Sequence, residues 1–194
     1  MKILLVTDPY PPEIRAISVM LQELAEFLYK NGNSITVLTS MPQLKLVDST
    51  TKADLPKHRV ENGVNVIRAK IPFQNKNGFI FKALSQILSI PVLYKTYKLN
   101  NNETIDIIIV YSPPLPLGII GIILKKVYGS KFLLNIQDIF PQNAIDLGVI
   151  KNKYIIYIYE LLEGFIYKHA DLISAHTTGC KDYIHEKKHI DENK

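Results

Sequence analysis

The sequence predicts a doubly wound α/β domain with a mainly parallel sheet, and three observations carry that prediction. Short continuous apolar runs recur along the chain, stretches of helical periodicity separate them, and the junctions are marked by Gly, Asn and Pro. A parallel strand is covered on both faces, so it reads as an unbroken apolar run rather than an alternation. Strands alternating with helices over the whole length give parallel pairing through right-handed crossovers.

Residues 2–7 are the first such run, and Asp8-Pro9-Tyr10-Pro11-Pro12 ends it. Ile17, Leu21, Leu24, Ala25 and Leu28 then recur at helical spacing, starting near Ala16 or Ser18, and Asn31-Gly32 supplies a left-handed stop. Residues 34–39 form a second strand. Residues 41–57 are polar and without period, which describes a surface loop. Residues 59–61 and 64–68 flank Asn62-Gly63, the commonest two-residue hairpin signal. Residues 79–99 are helical with Pro91 inside, so two helical pieces or one kinked helix are expected. A strand at 106–111, a helix at 115–128 stopped by Gly129 and a strand at 131–136 follow. A helix at 152–169 with Ile155, Ile158, Leu162, Phe165 and Ile166 facing the core, and a strand at 172–175, come next. Residues 181–194 read as a charged helix running into a tail.

The chain has 194 residues, enough for one domain, and its 47% hydrophobic and 21% charged content describe a globular protein. Cys180 is the single cysteine, which excludes an intramolecular disulfide and a cysteine-based zinc site and fits a reducing cytoplasm; it reads as a buried thiol. The first apolar run is too short for a signal peptide or a membrane span. A net charge of +5 permits contact with phosphates or anionic lipid. The lysines are scattered and no arginine-rich stripe with interleaved aromatics occurs, so nucleic acid is not an expected partner.

Open α/β sheets bind ligands at the carboxyl ends of their strands, which directs attention to three loops. The first runs from Asp8 into the helix near Ala16, where free backbone N–H groups and the helix dipole favour an anion beside Arg15. Glu13 and Arg15 are its candidate residues. The segment holds no glycine, which argues against a dinucleotide fingerprint. The second loop is Tyr111-Ser112-Pro113-Pro114-Leu115-Pro116. Ser112 lacks the setting of a nucleophile and is either part of a binding wall or a helix cap. The third is Asn135-Ile136-Gln137-Asp138-Ile139-Phe140-Pro141-Gln142. Asp138, leaving the sheet at a strand end, suits a general base or an acceptor from a sugar hydroxyl, or else a turn residue. His185 and His189 stand four apart on a lysine-rich terminal segment, a solvated face rather than a metal site, and His176 follows a strand that leads to the same edge.

The opening residues 2–8 with Pro11-Pro12-Glu13, the stretch from Leu28 to Thr39, Gln137-Asp138-Ile139-Phe140-Pro141, and Ala170-Asp171-Leu172-Ile173-Ser174-Ala175 together resemble the group 1, family 4 glycosyltransferases. The resemblance covers essentially the whole chain. It implies the N-terminal, acceptor-side half of a GT-B fold, with a nucleotide-sugar as co-substrate held mainly by a second domain and with neither cofactor nor obligatory metal. It also implies a glycan or lipid-linked sugar as acceptor in bacterial surface-polysaccharide assembly, at the inner membrane face. Glu13, Ile14, Arg15, Gln137 and Asp138 are the positions it brings toward donor phosphates, acceptor or sugar. Two departures stand out. Ile14-Arg15-Ala16 replaces the Gly-Gly pair of many relatives, and Gln137 stands where many have His. The second domain is absent from residues 1–194, so the chain alone is expected to have little or no transferase activity. The greasy, lysine-bearing stretch at 79–98 suggests docking on anionic lipid. The competing readings are a non-catalytic interaction module and half of a GT-B sugar-nucleotide epimerase.

Overall fold

The computed structural model describes residues 1–43, 55–101, 103–191 and 194. The surface loop expected at 41–57 falls mostly on residues 44–54, outside the described residues. Seven strands form one sheet: β1 (Lys2–Val6), β2 (Ser34–Ser40), β3 (His58–Glu61), β4 (Val64–Ala69), β5 (Ile107–Ser112), β6 (Lys131–Ile136) and β7 (Leu172–Ala175). Their order is β3-β4-β2-β1-β5-β6-β7, with every pairing parallel except β3 with β4. This is the expected Rossmann-like α/β sheet.

Alternation along each strand assigns side chains to two cores. Leu4 and Val6 join Leu38, Ile67, Ile108, Val110 and Leu134 beneath α2 (Phe79–Asn100), α3 (Leu117–Tyr128) and α5 (Lys153–His169). Ile3 and Leu5 join Ile35, Val37 and Val66 beneath α1 (Ala16–Lys30). The β3–β4 turn has Asn62 at φ 48° and Gly63 at φ 84°, the left-handed pair that a two-residue hairpin requires. A side chain at Gly63 would also strike the Tyr29 ring, 2.1 Å from the position of an added Cβ. In α3, Gly121 lets the helix lie against Phe132 and Val110, 2.6 and 2.9 Å from its hypothetical Cβ.

Several expectations change. Residues 79–100 form one unbroken helix with Pro91 inside. The carbonyl four residues earlier loses its N–H partner, and Ile87 sits on the exposed side, where water can serve it. On α5 Ile158 and Phe165 are exposed, while Glu163, Ile166 and Tyr167 are buried, so the inward face is rotated from the predicted one. Asn152 caps this helix, its Oδ1 accepting from the N–H groups of Tyr154 and Ile155. The terminal helix starts earlier than expected: Thr177 caps α6 (Thr178–Asp182), and a π-helical turn over Tyr183–Lys187 follows. Lys188 in this last segment reaches back to Glu163, Nζ to Oε2 at 2.6 Å, which explains how a carboxylate lies inside the core. Cys180 is half-buried in α6 rather than buried. A short helix not foreseen, α4 (Gln142–Asp146), follows the β6 loop. Among the described residues no helix is long and apolar enough to cross a membrane.

Candidate functional site

β1 continues to β2 on one side while β5 lies on its other side, so the connections diverge from the β1–β5 junction. Such a switch point opens a crevice at the carboxyl ends of the strands. A cavity of about 480 Å³ lies there, within the range of small-ligand sites. Asp8 and Arg15 line it from the β1 side, Tyr111 and Pro113 from the β5 side, and Lys82 and Ser89 from α2.

The β1 loop is fixed from several directions. Thr39 Oγ1 donates to the Asp8 carbonyl at 2.8 Å, and Ser40 Oγ donates to Asp8 Oδ1 at 3.2 Å. Arg68, buried on β4, donates from Nη2 to the Pro11 carbonyl at 2.7 Å and grips Glu61 with both Nη atoms at 2.8 and 3.0 Å. A rigid backbone therefore presents the start of α1 to the crevice. Burial pushes the Asp8 carboxyl above its ordinary range, while the Ser40 hydroxyl and the Arg15 guanidinium pull it back.

The residues foreseen in this loop take different positions. Glu13 is buried, with Oε1 accepting from the Gln43 N–H at 2.5 Å and Oε2 lying 3.5 Å from Arg15 Nε. Its carboxyl is raised by burial and lowered by the Gln43 and Arg15 contacts. Glu13 thus ties the β1 loop to the segment after β2 and orients Arg15. Arg15, one-third exposed, is the residue of this group that lines the cavity. Ile14 is exposed beside it.

Ser112 ends β5 as a buried residue, and α3 begins at Leu117 after Pro116, so Ser112 is not a helix cap. Its carbonyl accepts from the Gln137 N–H at 2.9 Å, which locks the β5 and β6 loops side by side. Asp138 is exposed. Tyr111 is its electrostatic neighbour: burial first and the Asp138 charge second push the phenol up to about 12. Gln137 donates through Nε2 to Asn135 Oδ1, and its Oε1 meets His176 Nε2 across the neighbouring strand end. The parallel strands thus bring Arg15, Ser112, Gln137 and Asp138 to one edge of the sheet, with Arg15 in the cavity and the others on the rim toward β7. Asp8 and Lys82 also belong to the cavity and were not singled out from sequence. Asp8 was legible as the first polar residue after β1, whereas Lys82 depends on how α2 crosses the strand ends. Among the described residues no group of three His, Cys, Asp or Glu side chains is placed to hold a metal ion.

No family model matches the chain. Over 103 residues it is 30% identical to the probable glycosyltransferase WbjE of Pseudomonas aeruginosa. This chain is similar to a glycosyltransferase. The matched stretch makes up 53% of the chain and 26% of that protein, so the chain spans well under half of its relative's length.

Proposed function

We propose that this chain is the acceptor-side domain of a group 1, family 4 glycosyltransferase, forming one wall of a GT-B cleft. The observation that supports this reading most is the cavity at the sheet's switch point, with Arg15, Lys76 and Lys82 among its lining residues, in a chain similar to a probable glycosyltransferase. In the proposed reaction the bond between the sugar anomeric carbon and the nucleotide diphosphate breaks. A bond from an acceptor hydroxyl oxygen to that carbon forms, the nucleoside diphosphate leaves with the bonding electron pair, and the hydroxyl proton passes to the Asp138 carboxylate. Arg15, the extended residue just before α1, stabilises substrate phosphate through its charge, beside the helix N–H groups. Glu13 holds Arg15 in place, and Ile14 offers apolar contact. Gln137 and Asp138 bind sugar hydroxyls, with Asp138 also placed to take a hydroxyl proton, and Ser112 fixes the rim between them.

A second domain supplies the opposite wall and most of the contacts to the nucleotide-sugar. The reaction needs no cofactor. The acceptor is a glycan or a lipid-linked sugar at the inner face of the bacterial membrane. Ile80, Phe81, Leu84 and Ile87 on α2 are exposed next to the cavity. Lys76 Nζ lies 5.3 and 5.0 Å from the Phe73 and Phe81 rings, and Lys82 lines the cavity. Apolar side chains beside cations suit an anionic lipid headgroup region.

Calorimetric titration with a short-chain polyprenyl-diphosphate-linked sugar tests the reading. Binding is expected, weakened about tenfold or more by Arg15→Ala, since a charge-assisted contact contributes roughly 1.5–3 kcal/mol. Binding unaffected by that change, or no binding, would overturn it. One observation favours a second reading as a non-catalytic interaction module: Tyr154, Tyr157, Ile158, Leu161 and Phe165 form an exposed apolar stripe along α5. On that reading the chain binds neither lipid-linked sugar nor nucleotide-sugar.

A further inference from the structure

Asn135 and Ser174 are register partners on β6 and β7, and both strands end within two residues of them. Asn135 Nδ2 donates to Ser174 Oγ at 3.3 Å. The Asn135 amide has Oδ1 turned to Gln137, whose Nε2 donates to it. That in turn orients the Gln137 amide, leaving Oε1 as the atom that meets His176 Nε2. An amide oxygen can only accept, so His176 Nε2 must carry the ring hydrogen. In the neutral imidazole the other nitrogen, Nδ1, then holds a lone pair, and His176 is exposed at the carboxyl edge of the sheet. Four polar side chains form a hydrogen-bonded chain that, in this orientation of the two amides, ends on the Nε2–H tautomer of His176.

We propose that His176 is a sugar-reading residue, positioned by Gln137 and Asn135, whose Nδ1 accepts a hydrogen bond from a hydroxyl of the sugar bound at this edge. The inference rests on the sugar-handling reading given above and adds a residue to it. The neutral acceptor suits a hydroxyl rather than a phosphate, which has no hydrogen to give when ionised. The exposed carboxylate of Asp138, in the loop that leaves β6, further disfavours an anion on this part of the rim. The β1–β5 crevice with Arg15 and Lys82 is the cationic part of the same edge. Charge therefore divides the wall into a phosphate end and a sugar end.

Long-range proton–nitrogen NMR of the histidine rings, on the full chain, tests this directly. The free protein is expected to show His176 as the Nε2–H tautomer, and Gln137→Met is expected to abolish that preference. Adding the short-chain polyprenyl-diphosphate-linked sugar, or a panel of uridine- and guanosine-diphosphate sugars, is expected to shift Nδ1 of His176. His176→Gln retains a donor where Nε2 stood but has nothing at Nδ1, so it is expected to weaken sugar binding about as much as His176→Ala, roughly tenfold. An Nδ1–H tautomer, or full rescue by Gln, would show a merely structural histidine. Amide shifts around Arg15 and Tyr111 serve as the control: if they respond while His176 Nδ1 does not, this inference fails alone. If no ligand moves any of them, the sugar-handling reading fails with it.

Discussion

Replacing Arg68 by Met should cost far more than an ordinary surface substitution, and the structure says why. Arg68 is 1% exposed and places three hydrogen bonds, two on Glu61 and one on the Pro11 carbonyl. Met preserves the apolar stem and removes the guanidinium, leaving the carboxylate and the carbonyl without their donor. Breaking a fully buried pair from one side costs about 3–5 kcal/mol. The Glu61 side chain is 25% exposed and can take water in exchange, which places the loss near the lower end, about 3 kcal/mol. For a domain of this size, about 3 kcal/mol lowers Tm by roughly 6–12 °C. Urea unfolding followed by circular dichroism supplies the measurement. Glu61→Gln should lose less, about 1–2 kcal/mol, because one acceptor survives. The double variant should show coupling above about 1 kcal/mol, since the two side chains touch. A loss below about 1 kcal/mol for Arg68→Met would be no more than an average substitution. It would refute the claim that this fork holds the β1 loop.

Gly121→Ala puts a methyl 2.6 Å from Phe132 and is expected to destabilise the domain by roughly 1–3 kcal/mol despite alanine's better helix propensity, as denaturant titration would show. Asn152→Ala removes the acceptor for two N–H groups at the start of α5 and is expected to cost about 1 kcal/mol by the same assay. The raised Asp8 carboxyl gives a pH signature. Between its ordinary range and its native value the folded chain binds more protons than the unfolded one, so this group's contribution to stability falls as pH rises through the native value. Asp8→Asn, which keeps an acceptor for Ser40, should therefore gain on the parent as pH rises through that window and show no such gain below it. Stability curves that stay parallel across pH would contradict that assignment. Flotation with vesicles containing anionic lipid should carry the chain upward, and Ile80→Glu with Ile87→Glu should abolish it; equal flotation of parent and variant would remove α2 from the membrane contact.

How much of this was legible in the sequence depended on whether the cause was local. The runs that became β1 and β2 are buried on both faces, so their apolar continuity alone located them; β6 buries only alternate residues, yet its apolar run located it as well. Asn62-Gly63 announced its hairpin because few other residue pairs tolerate two left-handed conformations. The inward face of α5 was misread because that helix is apolar on two sides. The expected face took in Ile158 and Phe165 together with Ile166, and of these only Ile166 lies inside, beside Glu163 and Tyr167. The burial of Glu163 rests on Lys188, which arrives from beyond β7, and no window of sequence around residue 163 contains that partner. The same division holds at the site. The strand-end loops were visible as transitions from apolar to polar residues. That Glu13 turns inward to Gln43, that Arg68 secures Pro11, and that Gln137 meets His176 are pairings across 30, 57 and 39 positions. They exist only once the sheet has brought its carboxyl ends together.

Backbone amide NMR during titration with the short-chain polyprenyl-diphosphate-linked sugar tests most directly whether those strand ends form a single binding wall. Shifts should concentrate in the loops after β1, β5, β6 and β7, around Arg15, Tyr111, Asp138 and His176, with Lys82 on α2. Shifts confined to the opposite end of the sheet, around Lys2, Asp106, Ser130 and Asp171, or an unchanged spectrum at saturating ligand, would contradict the account.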